Sequence, residues 1–257
     1  MRGIWIIYKK EMLEFTRSSK WIWLPIVFTL IGIMQPITSY YMPQILDAAG
    51  NMPEGTIIKI PTPSGAEVLL KTLSQYSTIG ILLIVISAMG SISNEKNTGS
   101  ITSTMVRPVS YFTFFISKWF AQVTIISASI GIGYGLTWYY TNLLFSDVSF
   151  KNFIESCVIY FIYVLFIISV TMCFGSVFRK NGAIVGSSFL LITALAIVNG
   201  IFEKQMKWSP SNLMNQVGSI LMDNKYLDTL ALNLTSSLLM IFGIIFVSIF
   251  TLQKQEL

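Results

Sequence analysis

Histidine is missing from all 257 residues, and only 11% of them are charged. The first absence removes the commonest general base and the commonest metal ligand, and with it any H-E-x-x-H zinc site. No Gly-Lys dipeptide occurs, so there is no P-loop and no nucleotide bound by that device. No G-x-S-x-G elbow occurs either. Cysteine is nearly absent: Cys157 and Cys173 lie in one apolar run. On a helix they stand roughly 24 Å apart, too far for a disulfide, and read as small packing residues. The formal net charge is +5, but no basic stripe alternates with aromatics, which excludes nucleic acid as a partner.

What the chain has instead is apolar length. It is 53% hydrophobic, with a mean hydropathy of +0.67, whereas soluble domains carry roughly 25% charged residues. Six runs are long enough to span a bilayer as helices: Trp21–Tyr41, Thr72–Asn94, Trp119–Ser146, Ser156–Phe178, Asn181–Phe202 and Thr229–Gln253, none containing Asp, Glu, Lys or Arg. The uncharged stretch Pro108–Ser117 precedes the third, so that helix is expected to start near Ser110 and to protrude or tilt. With the N-terminus inside, eleven of the 17 lysines and arginines fall on inside segments, which places both termini in the cytoplasm. Gly3–Tyr8 is too short for a signal-peptide core and is followed by charges, so the first run reads as an anchor.

Between the runs, Met1–Lys20 puts Ile4, Tyr8, Met12 and Phe15 on one helical face and Lys10, Glu14 and Arg17 on the other. That pattern predicts an amphipathic helix in the cytoplasmic interface. Residues 42–71 hold Pro43, Pro53, Pro61 and Pro63 and read as an outer loop with one short strand, Thr56–Ile60. Residues 203–228 form a second outer segment with a short helix over Leu213–Leu221. Arg179–Gly182 is a tight inside turn, so the fourth and fifth spans form a hairpin. Gly131 and Gly135 in the third run, and Gly182 and Gly186 in the fifth, have the spacing of small-residue packing faces.

Runs without charge also bear on energetics. Ion-coupled carriers need ionisable groups at membrane depth, and none is expected here. Uphill transport would therefore take its free energy from a partner. The segment that could receive it is the inside loop 94–110. After a capping Thr98 or Ser100, Ile101, Thr104, Met105 and Pro108 recur at helical spacing and offer a small apolar knob to a grooved partner.

Glu95, Gly99, Ser100 and Ile101, followed by Pro108, Val109 and Ser110, resemble the cytoplasmic loop of the permease subunits of ABC-2 type transporters. Lys10-Glu11-Met12-Leu13-Glu14-Phe15-Thr16-Arg17 before a Trp-rich first span resembles that family's interfacial helix. Tyr111 stands where the family often has a basic residue. The resemblance covers nearly the whole chain. It implies an all-α integral membrane fold: six transmembrane helices, an interfacial helix over 1–20 and a coupling helix between spans two and three, in one permease domain over 1–257. It implies coupling residues Glu95, Gly99, Ser100, Ile101, Met105, Arg107 and Pro108, with Lys10, Glu14 and Arg17 on the interfacial helix. It also implies two copies of an ABC ATPase as partners, and a second permease chain, identical or sister. ATP and magnesium would reside on the ATPase, and no cofactor, metal or catalytic residue on this chain. The expected site is a bacterial inner membrane, and the expected cargo an exported drug, antimicrobial peptide or other amphipath.

Two other readings fit the residues. A membrane-embedded enzyme acting on lipids or peptides would have to draw on Glu203, Asp223 and Asp228 without a histidine beside them. An immunity protein would sequester a toxic peptide at the outer surface without ATP.

Overall fold

A computed structural model describes residues 2–48, 62–98, 110–202 and 205–255. Within these the chain is helical, with no strand. The expected strand Thr56–Ile60 lies outside the described residues.

Among the described residues nine α-helices follow one another: α1 Arg2–Arg17, α2 Lys20–Ala48, α3 Gly65–Gln75, α4 Ile81–Asn97, α5 Tyr111–Leu144, α6 Phe150–Val177, α7 Asn181–Ile201, α8 Leu213–Asp223 and α9 Leu230–Gln255. A π-helical turn, Tyr76–Gly80, joins α3 to α4, and a 3-10 turn, Pro210–Asn212, leads into α8. Among the described residues six helical stretches are long and apolar enough to cross a membrane: Lys20–Ile45, Gly65–Asn97, Tyr111–Leu144, Phe150–Val177, Asn181–Ile201 and Leu230–Lys254.

Several of these helices outrun the apolar sequence. The second span starts at Gly65 and takes in Glu67 and Lys71, the third takes in Lys118, and the fourth takes in Lys151 and Glu155. Capping sets these starts rather than hydropathy. Ser64, Ser110 and Ser149 each accept a hydrogen bond from the backbone N–H three residues on, satisfying a donor that a helix start leaves unpaired. At its other end α2 continues through Pro43 to Ala48, so the 42–71 loop is shorter than the sequence implies. At 34 residues, α5 measures about 51 Å against a hydrocarbon core of about 30 Å, longer than one crossing needs, and it starts at Ser110 as expected.

α1 is a separate helix. Ser19, in the left-handed region at φ 56°, breaks it from α2. Its buried stripe is Ile7, Glu11 and Phe15, while Ile4, Tyr8 and Met12 are half-buried and Lys10, Glu14 and Arg17 are exposed. The helix lies against the start of α5, where the Tyr8 hydroxyl donates to Thr124 Oγ1 at 3.1 Å.

The core runs through α4, α5 and α6, the most buried spans; α2, α7 and α9 present much of their surface outward. Gly32 of α2 meets Gly133 of α5 closely enough that a side chain on either would strike its neighbours. Gly131, Gly135, Gly182 and Gly186 have open space in front of them. Their expected packing faces meet nothing among the described residues, and Gly133 is the α5 glycine that packs. Cys157 and Cys173 both lie on α6 as free thiols.

Candidate functional site at the root of the loop

The last turn of α4 precedes residues 99–109, and α5 follows them. The Lys118 ammonium, on the second turn of α5, lies 2.5 Å from Glu11 of α1 and 3.2 Å from Glu95 of α4. Lys10 of α1 reaches the same Glu95 oxygen at 2.7 Å. Two carboxylates and two ammonium groups therefore lock three helices together. Lys118 also sits 5.3 Å from the centre of the Phe114 ring.

Burial grades along this chain of charges. The side chains of Lys118 and Glu11 are each 2% exposed, Glu95 is 12% exposed and Lys10 is 54% exposed. Burial pushes the Glu11 carboxyl above its ordinary value, although the Lys118 ammonium pulls the other way. For Lys10, burial works against the charge, but hydrogen bonding to and attraction by Glu95 outweigh it and hold the ammonium above its ordinary value. Ions this deep persist only when paired, because an uncompensated buried charge is expensive.

The same turn of α4 grips the opposite flank. Ser93 Oγ donates to Asn181 Oδ1 at 2.6 Å, and Asn181 Nδ2 donates to Asn94 Oδ1 at 3.4 Å. Asn97 Nδ2 donates to the Arg179 carbonyl at 3.0 Å, and Lys96 Nζ to the Ser176 carbonyl. Further along α4, Lys20 Nζ donates to the Ser87 carbonyl at 2.8 Å. Residues 93–97 thus hold α1 and α5 on one side and the α6–α7 turn on the other. The last turn of α4 is thereby joined to four other helices, α1, α5, α6 and α7.

Of the sequence candidates, Glu95 and Lys10 come together here. Glu14 and Arg17 stay on the exposed side of α1. Gly99, Ser100, Ile101, Met105, Arg107 and Pro108 lie outside the described residues. Glu11 and Lys118 were not among the candidates. Glu11 sits at i+4 from Ile7 and i−4 from Phe15, and that stripe was its signal. Lys118 stands just before the apolar run that begins at Trp119, so by sequence it reads as a loop charge. The helix that carries the third span begins before that run, so Lys118 lies on it and is buried.

Comparison with known proteins bears on the chain as a whole. Residues 55–257 match a family profile described as "Protein of unknown function (DUF2705)". Over 256 residues, 100% of this chain and 99% of its relative, the sequence is 37% identical to "Uncharacterized transmembrane protein YxlG" of Bacillus subtilis (strain 168). The chain belongs to the DUF2705 family. Six apolar helices and a transmembrane relative of matching length make this DUF2705 member a multi-pass membrane protein. The profile begins at residue 55 and so covers Glu95 and Lys118, whereas α1, with Lys10 and Glu11, lies outside it. The relative spans both halves of the ion cluster.

Proposed function

We propose that this protein is the membrane-spanning permease subunit of an ATP-driven ABC transporter of the ABC-2 type. It would sit in a bacterial cytoplasmic membrane with both termini inside, and export an amphipathic cargo. The observation that carries this reading is the ion cluster on both roots of the loop, Glu95 before it and Lys118 after it, tied to Lys10 and Glu11 of α1.

In this reading two ABC ATPases dock beneath a pair of permease chains, and ATP and magnesium stay on the ATPases. Ile101, Thr104 and Met105, which the sequence spacing predicts to share an apolar face, are their grip. Closure of the ATPases pushes the loop. Glu95 and Lys118 hand the push to α1 and α5, while Lys96 and Asn97 hand it to the α6–α7 turn. A chain that merely sequestered a peptide at the outer surface would have no use for such a joint at the loop end.

The test is co-purification. Tagged protein extracted in mild detergent is expected to bring down a P-loop ATPase. I101D/M105D, which puts two charges on the knob, is expected to lose the ATPase at least about tenfold while still inserting and extracting normally. If no ATPase accompanies intact wild-type protein, the permease reading falls. If the double variant retains the ATPase fully, the loop is not the grip.

A further inference from the structure

Away from the ion cluster, α6, α7 and α9 border an open groove of about 410 Å³. α6 packs against both other helices and is the most buried of the three, so it forms the floor. Val170 and Phe174 of α6, Leu191 and Leu195 of α7, and Gly243 and Val247 of α9 are among its lining, which is apolar throughout. Gly243 is exposed, with nothing within 4 Å of a built Cβ. The α9 wall is therefore bare where a side chain would reach into the groove.

The groove has a depth and an end. α6 finishes, α7 begins and α9 finishes on the same side of the bundle, because successive spans alternate in direction. Measured from that end at 1.5 Å per residue, the lining runs from about 5 Å, at Phe174, to about 21 Å, at Leu195 and Met240. That interval matches the apolar depth of one leaflet, half of a hydrocarbon core of about 30 Å.

Cations stand at its mouth. Met240, Val247 and Lys254 recur every seven residues, two turns apart, and so share one face of α9. The Lys254 ammonium lies 4.8 Å from the centre of the Phe250 ring, one turn back toward the groove. Lys180, at the start of α7, is eleven residues or about three turns before Leu191, again on the same face. Arg179 precedes it in the α6–α7 turn, and all three basic residues are exposed. Basic pockets between spans at one membrane surface suit lipid phosphates.

We propose that this groove holds one acyl chain of an anionic phospholipid, whose phosphate is met by Arg179, Lys180 and Lys254. The lipid comes from the leaflet on the side of the α6–α7 turn. An apolar chain matches the lining, and the negative headgroup matches the mouth; a neutral apolar molecule would use only the first. The inference goes beyond the permease reading and does not rest on it.

The probes are dioleoylphosphatidylglycerol and dioleoylphosphatidylcholine, which share their chains and differ in headgroup charge. Purified protein in detergent, stripped of lipid, is titrated with each and read by native mass spectrometry, which counts bound lipids and protein chains together. Wild type is expected to bind one phosphatidylglycerol about tenfold more tightly than phosphatidylcholine. R179Q/K180Q/K254Q is expected to erase that preference. Asn97 holds the Arg179 carbonyl rather than its side chain, so this tie survives the change. Gly243→Phe puts a ring into the groove and is expected to remove the tight site in a protein that melts like wild type. Gly131→Phe, at an equally open glycine of α5 that does not line the groove, is expected to keep it. The proposal is overturned by equal affinity for the two lipids in wild type, by an undiminished preference in the triple variant, or by a tight site that persists in folded Gly243→Phe. It is overturned equally by a lipid-free wild-type dimer that Gly243→Phe splits, which would seat a second copy of the chain in the groove.

Discussion

Lys118→Met is expected to destabilise the protein by about 3–5 kcal/mol, the usual cost of stripping one partner from a buried ion pair. Two carboxylates rely on this ammonium, and they do so unequally. Glu95 keeps Lys10 at 2.7 Å, whereas the far more buried Glu11 has Lys118 as its ion-pair partner at 2.5 Å. The rescue should follow that difference: E11Q added to K118M restores most of the loss, and E95Q restores little. A pH dependence follows as well. Burial already holds the Glu11 carboxyl above its ordinary value. Removing Lys118 raises it further, so the folded variant takes up a proton that the unfolded chain does not hold. A carboxyl with a raised folded-state value favours the fold at low pH, and that support is lost as pH rises through the folded value. K118M should therefore lie closest to wild type in mildly acidic buffer and fall away from it toward neutral and alkaline pH. Thermal melts in detergent, read by size-exclusion fluorescence across that range, measure all three effects. A K118M protein that melts with wild type at every pH would show that the cluster holds nothing together.

The sequence made the architecture legible because one force dominates it. Runs of about 20 uncharged apolar residues have no place but a bilayer, and all six were recovered as helices. Helix starts were legible only where uncharged sequence led up to them. Ser110 was anticipated, but Ser64 and Ser149 were not, and both lie ahead of charges that hydropathy keeps outside a span. The ion cluster was half legible. Glu95 and Lys10 stood out as polar residues at expected positions. Glu11 and Lys118 did not, because nothing in a sequence says that two residues 107 apart will neutralise each other. The link between Asn199 and Asn212 was not legible at all: where Asn199 sends its NH₂ is decided by Asn212 through the Met206 carbonyl.

Gly133→Ala and Gly32→Ala are both expected to weaken the contact between α2 and α5, for different reasons that a second substitution separates. A Cβ on Gly133 would sit 2.8 Å from the backbone carbonyl carbon and oxygen of Phe28, and 2.7 Å from the Tyr76 hydroxyl. Backbone cannot rotate away, so the two helices must part. The parting also strains the bond from the Tyr76 hydroxyl to the Phe28 carbonyl, 2.7 Å long and wholly buried. A loss of about 2–3 kcal/mol is expected, the upper range for overpacking. A Cβ on Gly32 would instead meet side-chain oxygens, Thr137 Oγ1 and the Tyr76 hydroxyl, before the Gly133 carbonyl at 3.0 Å. Adding Tyr76→Phe and Thr137→Ala makes room for it. That pair should recover much of the stability of Gly32→Ala, each variant being measured against the same pair in the wild-type background. The pair should recover little of Gly133→Ala, whose clash is with main chain. Gly131 and Gly135, with nothing within 4 Å of a built Cβ, supply the control on the same helix: alanine at either should leave the melting of a single chain unchanged. Equal melting of the Gly131 and Gly133 variants would mean that α2 and α5 do not meet at this glycine pair.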